Sequence, residues 1–150
     1  TLYSSSIDPN LILDRVDLKK KKDSYFKTLS GGQKQRLSIA VALVNDPKVL
    51  FFDEPTTGLD PQARRNLWEL IKSFQGEGKT IVLTTHYMEE AEELCDRVAI
   101  IDEGKIIKID SPSNLIDELT KTGFKTTKKI KEATLEDVFI SLTGKSLREE

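Results

Sequence analysis

The spacing of apolar residues along the chain changes several times, and each change predicts an element. Behind Ser30 the apolar positions follow a helical period as far as about Val44, where Asp46-Pro47 predicts a stop. "KVLFF" (Lys48 to Phe52) is then a short unbroken apolar run, which predicts a strand buried on both faces. Asp60 followed by Pro61 is an N-cap with proline in the first helical position. The helix behind it carries one apolar stripe, Ala63, Leu67, Leu70, Ile71 and Phe74. "TIVLTT" (Thr80 to Thr85) predicts a second buried strand and "MEEAEELC" (Met88 to Cys95) a helix. "RVAIID" and "KIIKID" flank Glu103-Gly104, a two-residue turn signal that predicts a hairpin. Ser111-Pro112 caps another short helix, and Thr134 with Asp137 opens the last, "TLEDVFISLTG", with Leu135, Val138, Phe139 and Leu142 facing inward. Strand, helix, strand, helix, strand predicts an α/β layer with parallel strands.

The remainder is less patterned. Residues 1–28 are polar, and the run Lys19 to Lys22 reads as a solvated face. Residues 120–132 read as a loose basic connection, and no repeat or low-complexity segment appears.

Composition narrows the function classes. The 150 residues are 37% hydrophobic and 32% charged with a net charge of -2, which gives no argument for a nucleic-acid partner. The single cysteine, Cys95, excludes an internal disulfide and fits a reducing compartment. The longest apolar run, Ile39 to Val44, is far too short to span a bilayer, and no basic-then-apolar leader opens the sequence. The expectation is an intracellular, soluble chain, with any membrane work belonging to a partner.

Three places carry candidate chemistry. The first predicted strand runs into Asp53-Glu54-Pro55, and ligands of open parallel sheets bind beyond the carboxyl ends of strands. Apolar runs ending in Asp are how phosphoryl-transfer ATPases hold Mg²⁺. Glu54 beside such a site could take a proton from an attacking water, whereas an ordinary surface turn explains the two acids equally well. If the strand persists, the two side chains point to opposite sides. His86, the one histidine, follows the second strand in the same way; it is either a structural residue or a partner for a phosphate oxygen or a catalytic water. In "LSGGQ" (Leu29 to Gln33), Ser30 and Gln33 form a capping box. Gly31 and Gly32 then offer a helix N-terminus without side chains, where exposed N–H groups suit a phosphate.

Taken in order, "LSGGQ", "VLFFDEPTTGLDP" and "TTH" resemble the nucleotide-binding domain of ATP-binding cassette (ABC) transporters, over nearly everything from Thr28 to Gly144. The resemblance implies a P-loop NTPase-like layer of parallel strands flanked by helices, with ATP and Mg²⁺ as cofactors. It implies that Ser30, Gly31, Gly32 and Gln33 are the signature, contacting the γ-phosphate of ATP held by the opposite subunit of a head-to-tail dimer. By the same resemblance Asp53 serves the metal as the Walker B aspartate, Glu54 is the general base and His86 the switch histidine. Thr57 to Asp60, "TGLD", is similar to the D-loop that crosses the dimer interface. The closing "ATLEDVFISLTG" looks like the tails of ABC-2-type exporters, which implies separate transmembrane permease subunits and a place at the inner face of the cell membrane.

The family's phosphate-cradling Walker A loop has no counterpart here. "SFQGEGKT" (Ser73 to Thr80) imitates it, but Ser73 stands where the first glycine belongs and a strand follows where a helix is required. The expected organisation is therefore a remnant of a helical subdomain at 1–28, the C-terminal half of a nucleotide-binding domain at 29–119, and a basic connection with a final helix at 120–150. Two other readings stay open: a non-catalytic module lending its signature face to a complete partner, and an ABC-type ATPase of DNA repair or chromosome maintenance. Without the strand that leads into a Walker A loop, one of the two apolar strands is expected to present an open edge.

Overall fold

In the computed structural model, residues 7–123 and 135–144 are described. The proposed cap Thr134, the side chain of Asp137 and most of the basic connection at 120–132 lie outside the described residues. The chain divides into two units, Thr1–Thr84 and Thr85–Glu150. Among the described residues no helix is long and apolar enough to cross a membrane.

The first unit opens with a helix that the expected polar lead-in did not announce. Asp8 accepts the Asn10 N–H and Pro9 holds the first helical position of α1 (Pro9–Arg15). Ile12 and Val16, four apart, are both buried, as is Leu18. Two single 3₁₀ turns, Lys19–Lys21 and Phe26–Thr28, lead to α2 (Gly31–Leu43), whose Ile39, Ala40 and Leu43 enter the core. Strand β1 (Val49–Asp53) pairs in parallel with β2 (Thr80–Thr84), and α3 (Pro61–Gly76) makes the crossover. Asp60 caps α3 with Pro61 at its first position, and Leu67, Trp68, Ile71 and Phe74 are its buried stripe. The Walker A look-alike is a helix end and a loop: α3 runs through Gly76 and β2 begins at Thr80.

Burial on both faces of the strands is corrected by the structure. Leu50 and Phe52 are buried, whereas Val49, Phe51 and Val82 on the opposite face are 45%, 77% and 46% exposed. Phe51 and Val82 are register partners, so this is one bare apolar face of a two-stranded sheet. Ion pairs tie the ends of the unit together. Arg15 bonds Glu77 while lying over the Phe74 ring at 5.3 Å, and Lys79 joins Asp46 and the Pro47 carbonyl.

The second unit holds α4 (Met88–Leu94), the antiparallel hairpin β3 (Val98–Asp102) and β4 (Lys105–Asp110), α5 (Pro112–Lys121) and α6 (Leu135–Thr143). The hairpin turns on Glu103-Gly104 as expected, with φ of 48° and 73°. The third strand thus pairs in a separate two-stranded sheet, not beside β1 and β2. Ala91, Ile100, Leu115, Leu119, Leu135 and Val138 form this unit's core. Burying the isoleucine, leucine and valine side chains among them contributes roughly 1.5–3 kcal/mol each. Phe139 packs against that core, but Leu142 is 43% exposed, a correction to the inward stripe expected of the last helix. The first N–H of α6, that of Leu135, donates to Glu92 Oε1 at 2.6 Å, an acid at the positive end of a helix.

Candidate functional site

Seven of the eight candidate residues belong to the first unit. Strand β1 ends at Asp53, and the chain does not go on extended: Glu54 has φ 45°, in the left-handed region that a non-glycine residue seldom adopts. The condition for the two acids to point to opposite sides, a strand that persists, is therefore not met. Hydrogen bonds account for the kink. The Glu54 N–H donates to the Thr84 carbonyl at 3.0 Å and to Thr84 Oγ1 at 3.3 Å. Below it the Thr57 N–H donates to the Glu54 carbonyl at 3.2 Å, closing a turn floored by buried Pro55 and Thr56.

Both carboxylates are held by hydroxyl groups. Thr84, the register partner of Asp53, donates its hydroxyl to Asp53 Oδ1. Thr57 donates to Glu54 Oε2 at 2.8 Å. Sequence reasoning links neither threonine to a carboxylate. The Glu54–Thr57 spacing is local and open to it, whereas the Asp53–Thr84 pairing depends on strand register across 31 positions.

The glycine helix behaves as its capping box requires. Ser30 Oγ accepts the Gln33 N–H at 3.3 Å and the Gln33 side chain accepts the Ser30 N–H at 3.0 Å. Since Ser30 Oγ is an acceptor in that bond, its hydroxyl hydrogen remains for an incoming oxygen. A Cβ added to Gly31 would meet nothing within 4 Å, so the backbone is open to close approach there. At Gly32 it would lie 3.6 Å from Ala63 Cβ and 3.9 Å from Leu59 Cδ2. The first turn of α2 is therefore packed against the first turn of α3, and two positive helix ends lie together. Asp60 Oδ1 serves the second of these by accepting the Gln62 and Ala63 N–H groups at 3.0 and 2.9 Å.

His86 is a residue of the second unit, exposed, with its ring centroid 4.1 Å from that of Tyr87. The Tyr87 N–H donates to Thr85 Oγ1 at 3.0 Å and shapes the turn that carries the imidazole into α4. Among the described residues no group of three or more His, Cys, Asp or Glu gathers as a metal cage. That donor set does not suit a resident ion such as structural zinc, but it fits magnesium, which takes one or two carboxylates and fills its shell with water and phosphate oxygens.

Residues 5–90 match the family described as "AAA domain, putative AbiEii toxin, Type IV TA system". A Nod factor export ATP-binding protein I of Paraburkholderia xenovorans (strain LB400) is 56% identical over 105 residues, which are 70% of this chain and 34% of that protein. The protein of the same name from Rhizobium etli (strain ATCC 51251 / DSM 11541 / JCM 21823 / NBRC 15573 / CFN 42) is 52% identical over 108 residues, 72% of this chain and 34% of the relative. The one from Mesorhizobium japonicum (strain LMG 29417 / CECT 9101 / MAFF 303099) is 48% identical over 118 residues, 79% and 34%. The chain thus spans about a third of the length of the curated relatives it matches. Among solved structures, an ATP-binding cassette of an ABC transporter shares the fold with a TM-score of 0.67 at 23% identity, over 77% of this chain and 47% of that one.

Proposed function

We propose that this chain, which belongs to the AAA-domain family and is a fragment of the ATP-binding domain of ABC transporters, supplies half of a composite ATP-hydrolysing site in a longer exporter subunit. The observation that carries the reading is the acid corner: two carboxylates at the carboxyl end of a parallel strand, the second turned out of the strand by its own left-handed backbone. Glu54 takes the proton of the attacking water, and Asp53 would hold the magnesium that, when bound, neutralises charge on the phosphates. Ser30, Gly31, Gly32 and Gln33 present a capped, uncrowded helix end to the γ-phosphate of a nucleotide held by a second copy, and Asp60 fixes the neighbouring helix end at that interface. His86 offers an exposed imidazole to a phosphate oxygen. The shared name of the relatives supports export rather than import. A cargo-carrying permease in the membrane, with this subunit bound at its cytoplasmic face, accords with that reading.

Mixing two disabled variants of the full-length protein tests it. Glu54→Gln disables the site of its own protomer, whereas Ser30→Glu disables the site of the opposite one. Each alone should hydrolyse ATP slowly, and the mixture should regain turnover, because mixed dimers keep one site with both parts intact. A mixture no faster than its components would contradict a site shared between subunits.

A further inference from the structure

We infer that Thr57 and Thr84 are positioning residues for hydrolysis, two hydroxyl groups that fix where the Glu54 carboxylate stands. The inference rests on the reading of Glu54 as the proton acceptor. A glutamate at the end of a strand has three side-chain torsions and no intrinsic reason to hold one of its rotamers. General-base catalysis needs its oxygen within hydrogen-bond reach of one water, and a displacement of about 1 Å can lower a rate about a hundredfold.

The structure removes that freedom in two stages. Thr84 acts on the backbone. Its hydroxyl donates to Asp53 Oδ1 and its oxygen accepts the Glu54 N–H at 3.3 Å, while its carbonyl accepts the same N–H at 3.0 Å. One residue of β2 therefore holds both acids and secures the φ of 45° that turns Glu54 out of the strand. Thr57 acts on the side chain. It stands three residues on, its N–H anchored to the Glu54 carbonyl, and its hydroxyl donates to Oε2 at 2.8 Å. A hydrogen bond to an ionised carboxylate is stronger than a neutral one. With Oε2 held, the planar carboxylate keeps its second oxygen at a fixed distance from that point, which narrows where it can stand. Neither hydroxyl touches the reacting atoms: Thr57 acts through the Glu54 carboxylate, and Thr84 through the Glu54 backbone and Asp53.

Valine matches threonine in shape and lacks the hydroxyl, and serine keeps the hydroxyl. In the full-length protein, Thr57→Val should lower kcat for ATP about ten- to a hundredfold and leave KM within about twofold, the scale expected of a lost bond to a charged group. Thr57→Ser should restore most of kcat. Combined with Glu54→Gln, Thr57→Val should slow turnover no further, since the group it orients is gone. Light scattering gives a readout apart from turnover: with ATP the Thr57→Val protein should accumulate as a dimer, as Glu54→Gln should. Thr84→Val should also lower kcat and Thr84→Ser restore it, and because Thr57 is exposed the inference does not depend on the strand variants folding. If Glu54→Gln turns over ATP at the parental rate, the general-base reading fails and this inference with it. If Glu54→Gln is slow while Thr57→Val keeps the parental kcat, the positioning role fails and the base reading stands. Equal loss in Thr57→Val and Thr57→Ser would also overturn it, since the hydroxyl would not be the agent.

Discussion

Two corners of this molecule begin with the same chemistry. β1 ends in Asp53-Glu54 and β3 in Asp102-Glu103, and in both the glutamate is left-handed, with φ of 45° and 48°. The next residue separates them. After Glu103 comes Gly104, which takes a second positive φ of 73°, and two such residues make the tight turn whose twist suits a hairpin. After Glu54 comes Pro55, whose ring fixes φ near about -65° and forbids a second left-handed residue. The chain therefore cannot return beside β1. It folds into the Thr57 turn, reaches Asp60, and starts α3 against the glycine helix. Asp102 is register partner to Lys105 of its own hairpin, whereas Asp53 faces a threonine from a parallel strand 31 positions away. Acids at a strand end are thus not in themselves a site; the crossover behind them brings helix ends and hydroxyl groups to the first corner, whereas the hairpin sets Lys105 opposite Asp102 at the second.

Exchanging the residue that decides each corner should have the largest effect on folding. Gly104→Pro forces φ negative within a turn that needs it positive, and about 3 kcal/mol or more of stability should be lost in chemical denaturation of the full-length protein. Pro55→Gly keeps the turn's hydrogen bonds but removes a buried ring and adds freedom to the unfolded chain, and a loss of about 1–2 kcal/mol is expected. Equal losses would mean that the corners do not differ as described. The two glutamates give a finer measurement. Glycine relieves a left-handed backbone, so Glu103→Gly should stabilise by up to about 1 kcal/mol. In Glu54→Gly the Thr57 bond to the carboxylate goes with the side chain, which offsets that relief.

The smallest effect concerns acid. Asp110, at the far end of the hairpin, accepts from Asn114 Nδ2 at 2.8 Å and the Ser111 N–H at 2.7 Å, and these bonds, the Asn114 one foremost, hold its carboxyl below the ordinary 3.8. A lowered folded pKa contributes stability that is present above the unfolded value and lost as pH falls through the folded one. Melting temperature should therefore dip below about pH 4, and Asp110→Asn should flatten that part of the dip. An unchanged profile in Asp110→Asn would mean that the carboxylate does not hold the hairpin end.

Much of the fold is legible along the chain where the signal is local. Asp60-Pro61, Ser111-Pro112, Glu103-Gly104 and the Ser30–Gln33 box each hold their reason within four residues, and each stands in the structure as expected. The same signal at Asp8-Pro9, with Ile12 and Val16 behind it, is hidden by the polar residues around it. Strand burial is where the pattern misleads. A run such as "KVLFF" records what a strand can bury, but Phe51 is 77% exposed because covering is a property of neighbours, not of the run. The acid corner is legible in position and not in direction, since no spacing rule places a glutamate at positive φ. Thr84 lies beyond reach altogether, because register is a tertiary fact.

If the crossover makes the site, then Glu54 acts and Glu103 does not, although their local chemistry is the same. Steady-state phosphate release by the full-length protein, with Glu54→Gln and Glu103→Gln prepared side by side, decides between them. Turnover should fall by about 10²–10⁴ in Glu54→Gln and stay within about twofold of the parent in Glu103→Gln. Parental turnover in Glu54→Gln, or a comparable fall in both variants, would refute the distinction between the two corners.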